Sequence, residues 1–318
     1  MKSLKSLKSL KSLKSLKSLK SLKSLKSLKG LMFEEFDGFT IEIVFKKMKM
    51  KKLFIFTMLI ALFLIFNASK SKPVKMFLIG DSTMADKPIE DNPERGWGMV
   101  LPSFFNDNVT IENHARNGRS SRTFIEEGRW DFVLNRVGKG DFVVLQFGHN
   151  DEVETKKSYT PLDQFKSNFE KMVRDVHSRG AYPILCTSVA RRKFDSIGNL
   201  IDTHPVYPEV IRQVAKEMNV PLIDMQRKSE KVLLKYGVEN SKKLFMHIAP
   251  GIWKKVPDGR VDDTHFVEAG AMEMAQCFVE GIREENIKVL KRNLLKSKDI
   301  VHKYTRPVEG IDKIKPFK

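Results

Sequence analysis

Val74-Lys75-Met76-Phe77-Leu78-Ile79-Gly80-Asp81-Ser82-Thr83-Met84 has the pattern of a β-strand that runs into a tight turn. Met76 to Ile79 are apolar without a break, so the strand is expected to be buried on both faces rather than on one. Gly80 permits a sharp exit, and Asp81 and Ser82 are turn formers. Comparable runs span Val109 to His114, Phe142 to Gly148, Tyr182 to Thr187 and Pro221 to Asp224. Helical patterns lie between and after them: Leu162, Phe165, Phe169, Met172 and Val176 share one face, as do Ile211, Val214, Ala215 and Met218, and then Met272, Ala275, Val279 and Ile282. Buried strands separated by helix-length connections imply an α/β protein with a parallel sheet covered on both sides. In such a sheet ligands gather at the carboxyl ends of the strands, so chemistry is expected just after Gly80, His114 and Gly148.

Those are the places where the sequence stops resembling scaffold. Ser82 follows the first strand, Asn117-Gly118-Arg119-Ser120-Ser121 the second, and His149-Asn150-Asp151 the third; Asp262-Asp263-Thr264-His265 precedes the last amphipathic helix. The GxSxG elbow of the common α/β-hydrolases is absent. A serine hydroxyl is a poor nucleophile at neutral pH and needs a base that is itself oriented by a third group. Asp262 and His265, three residues apart on an expected turn, could supply orienter and base to Ser82, with Asp263 a rival to Asp262. An oxyanion hole would then form from the backbone N–H groups of Ser82 and Gly118 and the side-chain amide of Asn150, provided the strand ends are neighbours.

Together the four segments resemble the SGNH hydrolase superfamily. Their wording, Gly80-Asp81-Ser82-Thr83-Met84, Gly118-Arg119-Ser120-Ser121, Gly148-His149-Asn150-Asp151 and Asp262-Asp263-Thr264-His265-Phe266, is similar to its rhamnogalacturonan acetylesterase branch, carbohydrate esterase family 12, as is Gly96-Trp97-Gly98. The resemblance covers roughly Val74 to Glu285. It implies a three-layer α/β/α sandwich of flavodoxin-like type and removal of O-acetyl groups from pectic polysaccharide. It assigns Ser82 as nucleophile, His265 as base, Asp262 as orienter, and Gly118 and Asn150 as oxyanion donors. No cofactor is implied. Rival readings are an esterase acting on acetylated xylan or on a lipid acyl chain, and a carbohydrate-binding protein of the same fold without turnover.

Other chemistry-bearing residues have plainer expectations. His149 should brace its loop, and His114, His177, His204, His247 and His302 show no partner pattern. Trp97 and Trp253 are candidates for stacking on sugar rings, although a tryptophan is more often core. Arg191-Arg192-Lys193 could meet uronate carboxylates or form a solvated loop. Cys186 and Cys277, far apart in apolar runs, have no metal-ligand spacing and suggest buried small hydrophobes.

The formal net charge is +18, but it sits at the ends. Residues 1–69 carry 15 basic and 4 acidic side chains and residues 287–318 carry 10 and 3, which leaves 32 of each sign in 70–286. A neutral body argues against a nucleic-acid partner. Lys-Ser-Leu repeats nine times from Lys2 to Leu28, a period that builds neither a helix face nor a strand face. Lysines from Lys46 to Lys52, the apolar run Leu53 to Phe66 and Asn67-Ala68-Ser69 follow the order of a secretory signal peptide. The apolar run is too short for a permanent span of about 20 residues. The expected organisation is therefore a low-complexity tract over 1–45, with translation starting near Met48 or Met50, a signal peptide over 46–69 cut near Ala68 or Ser69, an esterase domain over 70–286, and a basic extension over 287–318 comprising a short helix and coil. A secreted protein, periplasmic or extracellular, with no stable membrane anchor is expected, its partner being an acetylated polysaccharide.

Overall fold

The computed structural model describes residues 73–311, together with Lys46, Lys47, Met50, Lys52, Phe54, Ile55, Thr57 and Met58, which are helical. The chain divides into two units, Met1–Ser71 and Lys72–Lys318. The expected repeat tract and cleavage site lie outside the described residues, as does Met48 of the two expected start sites. So does most of the expected signal peptide.

In chain order the second unit comprises β1 (Val74–Gly80), β2 (Glu94–Arg95), α1 (Trp97–Val100), β3 (Val109–Asn113), α2 (Ser121–Glu126), α3 (Arg129–Leu134), β4 (Phe142–Gln146), α4 (Leu162–Ser178), β5 (Tyr182–Cys186), α5 (Tyr207–Glu217), β6 (Leu222–Ile223), α6 (Met225–Asn240), β7 (Phe245–Ile248), β8 (Arg260–Val267), α7 (Glu268–Glu284) and α8 (Lys288–Lys291). The five expected strands form one parallel sheet in the order β3-β1-β4-β5-β6. Because side chains alternate across a strand, Met76 and Leu78 face one side and Phe77 and Ile79 the other. The first pair joins a core with Trp97, Ile223, Met274 and Phe278, and the second joins one with Phe124, Trp130, Phe169 and Ile211. This is a three-layer α/β/α sandwich.

Strand β1 ends at Gly80 as expected, and the other four end one or two residues early, since their last residues turn out of the ladder at the carboxyl edge of the sheet. A second sheet, β2-β8-β7, is antiparallel and has no counterpart in the expectations. Asp262 and His265 therefore lie on a strand and not on a turn. Phe245 pairs with Phe266 while Met246 pairs with Asp262, so Asp263, Thr264 and His265 bulge out of the ladder. A bulge frees residues three apart to meet on one side, which a regular strand forbids.

The boundary at 286 does not separate two bodies. Leu290 is fully buried, Leu295 N–H donates to Phe104 O at 2.8 Å and Thr305 N–H to Met99 O at 2.9 Å, and Thr305 Oγ1 donates to Asp86 Oδ1 at 2.6 Å. The tail's few apolar side chains, spaced too widely to show a period, suffice to hold it on the domain.

Helix α7 starts against the segment before β7, and a Cβ on Gly270 would lie 1.9 Å from the Leu244 carbonyl oxygen. Alanine ordinarily favours a helix over glycine by about 1 kcal/mol. Here it must displace backbone, and overpacking of this kind costs roughly 1–3 kcal/mol. Gly270→Ala is expected to lower the melting temperature by several degrees in calorimetry.

Candidate active site

Ser82 stands in the turn after β1, whose geometry is set from behind. Asp81 is fully buried, and its Oδ1 accepts from Thr83 N–H at 2.9 Å and Thr83 Oγ1 at 2.8 Å. Gln146 at the end of β4 donates to Thr83 Oγ1 at 3.0 Å and accepts from Trp97 Nε1 at 3.1 Å. Trp97 is thus a completely buried brace of the serine turn, not a sugar-stacking surface. Neither it nor Gln146 was legible in that role from the sequence. The one available signal was a glutamine and a tryptophan each set among apolar neighbours.

His265 Nε2 lies 2.8 Å from Ser82 Oγ, and His265 Nδ1 lies 2.8 Å from Asp262 Oδ2. An ionised carboxylate can only accept, so Nδ1 carries the proton and Nε2 offers its lone pair to the serine hydroxyl. Asp262 Oδ1 accepts from the backbone N–H groups of Thr264 at 2.7 Å and His265 at 3.0 Å. Oδ2 also accepts from Arg260. Burial alone would raise the Asp262 carboxyl, but the bonds from His265 and Thr264 outweigh it and hold it well below the usual carboxylate range. Its rival Asp263 points elsewhere, accepting from Arg192 at 2.8 Å and pairing with His247 Nε2 at 2.7 Å.

The other two loops are tied together. Gly118 adopts a left-handed φ of 75°, a conformation that favours glycine. Asn150 Nδ2 donates to Arg119 O at 3.0 Å. Asp151 Oδ1 accepts from Ser121 N–H at 2.8 Å and Ser121 Oγ at 2.7 Å. The backbone N–H groups of Ser82 and Gly118 make no hydrogen bond among the described residues. They remain available to a ligand.

The plainer expectations fare differently from one another. Arg192 is buried and bonds Ser241 Oγ at 3.0 Å and Val238 O at 2.6 Å, while Arg191 pairs with Glu152 at 2.9 Å, so both arginines fasten loops instead of facing a uronate. His204, His247 and His302 pair with carboxylates distant in sequence, Glu152, Asp263 and Glu268, and His114 pairs with Glu112 two residues before it. His149 is buried edge-on to His204, with ring centroids 4.5 Å apart. Both cysteines are buried and free.

The fold and the hydrogen-bonded Ser82, His265 and Asp262 series define a serine hydrolase. Residues 78–271 match the GDSL-like lipase/acylhydrolase family. The chain belongs to that family, and it is a serine carboxylic-ester hydrolase of SGNH type. It is 41% identical over 214 residues to rhamnogalacturonan acetylesterase RhgT of Bacillus subtilis, covering 67% of this chain and 91% of that protein. It is 35% identical over 211 residues to the probable rhamnogalacturonan acetylesterase YesY of the same organism, covering 66% and 92%. The crystal structure of YxiM from Bacillus subtilis is 27% identical with a TM-score of 0.59; the match covers 69% of this chain and 58% of the longer YxiM chain.

Burial pushes the Asp151 carboxyl up to about 7, against the opposing bonds from Ser121. A carboxyl raised on folding binds more protons in the native state between its unfolded and folded values, so it subtracts stability as pH rises through that window. Asp151→Asn removes the titration. The melting temperature of the variant relative to the parent is expected to climb between pH 4 and pH 7 and to level off above.

Proposed function

We propose that the protein is a secreted acetylesterase that removes O-acetyl groups from rhamnogalacturonan through an acyl-enzyme. The observation that carries the reading is the placement of Ser82 Oγ 2.8 Å from a histidine nitrogen whose ring partner is a carboxylate held by four donors. Support for the substrate comes from the 41% identity to a rhamnogalacturonan acetylesterase. In this mechanism Ser82 Oγ attacks the acetyl carbonyl carbon as His265 Nε2 takes its proton. The imidazolium, steadied by Asp262, then protonates the departing sugar oxygen. Water, deprotonated by His265, attacks the acetyl-serine and releases acetate. During both steps the oxyanion receives the N–H groups of Ser82 and Gly118 and the second amide hydrogen of Asn150. The order of basic, apolar and small residues from Lys46 to Ser69 supports export by a cleaved signal peptide.

Purified residues 70–318 are expected to release acetate from acetylated rhamnogalacturonan, with Ser82→Ala lowering kcat by a factor on the order of 10⁶ and Asn150→Ala by about 10²–10³. Release that survives in Ser82→Ala would remove the nucleophile from the proposal. Release from acetylated xylan alone would keep the mechanism and move the substrate. N-terminal sequencing of exported material is expected to begin near residue 69 or 70.

A further inference from the structure

A chain of alternating charges extends from the Asp262 carboxylate to the loop that carries Gly118. Arg260, at the start of β8, donates through Nη2 to Asp262 Oδ2 and through Nη1 to Glu94 Oε2 at 2.8 Å. Glu94, on β2, accepts through Oε1 from Lys87 Nζ at 2.6 Å. Lys87, its side chain only 2% exposed, also donates to Asn117 Oδ1 at 2.7 Å, one residue from Gly118. Arg260 Nη2 stands 3.1 Å from His265 Nδ1. Both atoms are donors, so this approach is no bond between them: two N–H groups converge on the same oxygen. A fixed positive charge is therefore set against the Nδ1 edge of the imidazole that must become cationic, with Glu94 behind it as counter-charge.

We propose that Arg260, anchored by Glu94 and Lys87, is a positioning residue that governs how readily His265 accepts the Ser82 proton; the inference rests on the reading of Ser82, His265 and Asp262 as the catalytic series. Arg260 occupies one of the Asp262 lone pairs and partly neutralises its charge. The carboxylate thus orients the imidazole while part of its charge is met by the guanidinium. Glu94 limits the repulsion between guanidinium and imidazolium. Other groups that interact electrostatically with His265 come from other elements. Asp81, after β1, has a carboxyl raised chiefly by burial, and His149, after β4, is driven well below its usual range chiefly by burial and carries no charge at neutral pH. Glu94 itself interacts with His265, with Lys87 and with Arg260. The arginine and the glutamate thus supply opposing fixed charges, and their removal should act in opposite directions.

The test is the pH dependence of kcat/KM for 4-nitrophenyl acetate in the parent, Arg260→Gln, Arg260→Lys and Glu94→Gln. A charge within about 4–6 Å moves a titration by roughly 1–3 units. The acid limb is expected to move up by about one unit in Arg260→Gln, down by a similar amount in Glu94→Gln, and back toward the parent in Arg260→Lys. Limbs that stay in place while rates fall, or that move the same way in Arg260→Gln and Glu94→Gln, would overturn the proposal. The same shifts are read without turnover from the His265 imidazole resonances in a Ser82→Ala background, where Arg260→Met, which keeps the apolar stem and removes the charge, serves if the glutamine variant does not fold. Turnover that survives Ser82→Ala would instead overturn the catalytic series, while the resonance titration still reports whether Arg260 acts on His265.

Discussion

The bond between His265 Nε2 and Ser82 Oγ joins two sheets that otherwise have different geometry and different partners. Ser82 is carried by the parallel sheet, at the point where β1 leaves its ladder, and His265 by the bulge of β8 in the antiparallel sheet. A contact of 2.8 Å between groups 183 residues apart requires both sheets to hold their edges to within a few tenths of an ångström. Much of the surrounding structure can be understood as meeting that demand. Arg192 ties the loop after β5 to β8 through both the side chain and the carbonyl of Asp263. The close approach of Gly270 to Leu244 sets where α7 follows β8. The C-terminal tail closes on the far side through Thr305 and Asp86, beside the same turn.

Under this junction the interior is unusually polar for the centre of a sandwich. Asp81, Thr83, Gln146, Asp151 and His149 are buried; one oxygen each of Asp81 and Asp151 holds a backbone N–H, and Thr83 and Gln146 are bonded to each other. Such bonds contribute about 1 kcal/mol each, but an unmet buried partner costs more, so a satisfied network specifies one arrangement sharply. The network also leaves gaps: one oxygen each of Asp81 and Asp151 and both ring nitrogens of His149 have no partner. Stability is given up at the place where the loops must be fixed, which is consistent with the raised carboxyl of Asp151. Protonation is one way such a group lowers its own cost.

The parallel sheet was legible because burial on both faces writes itself into a strand as an unbroken apolar run, as in Met76 to Ile79 or Phe142 to Leu145. The positions of Ser82, Gly118 and Asn150 followed from the rule that function collects where those runs end. The antiparallel sheet left no such mark. Its strand β2 has two residues, and β8, Arg260-Val261-Asp262-Asp263-Thr264-His265-Phe266-Val267, is half-exposed and broken by a bulge, so no alternation survives. The carboxylate partners of His204, His247 and His302 were hidden for a related reason, since pairs 52, 16 and 34 residues apart have no local spacing.

Local periodicity and turn chemistry depend on near neighbours alone, so the layers and the residues at the sheet's edge could be read from the chain before it folds. The folded chain bears out Asp262 over Asp263 as the partner of His265, and contacts between distant segments are what make Trp97 a brace of the serine turn and line up Arg260 and Glu94 beside His265. Each of those outcomes turns on the direction a side chain takes from a bulge or a sheet edge, a quantity fixed by contacts between segments far apart in the chain.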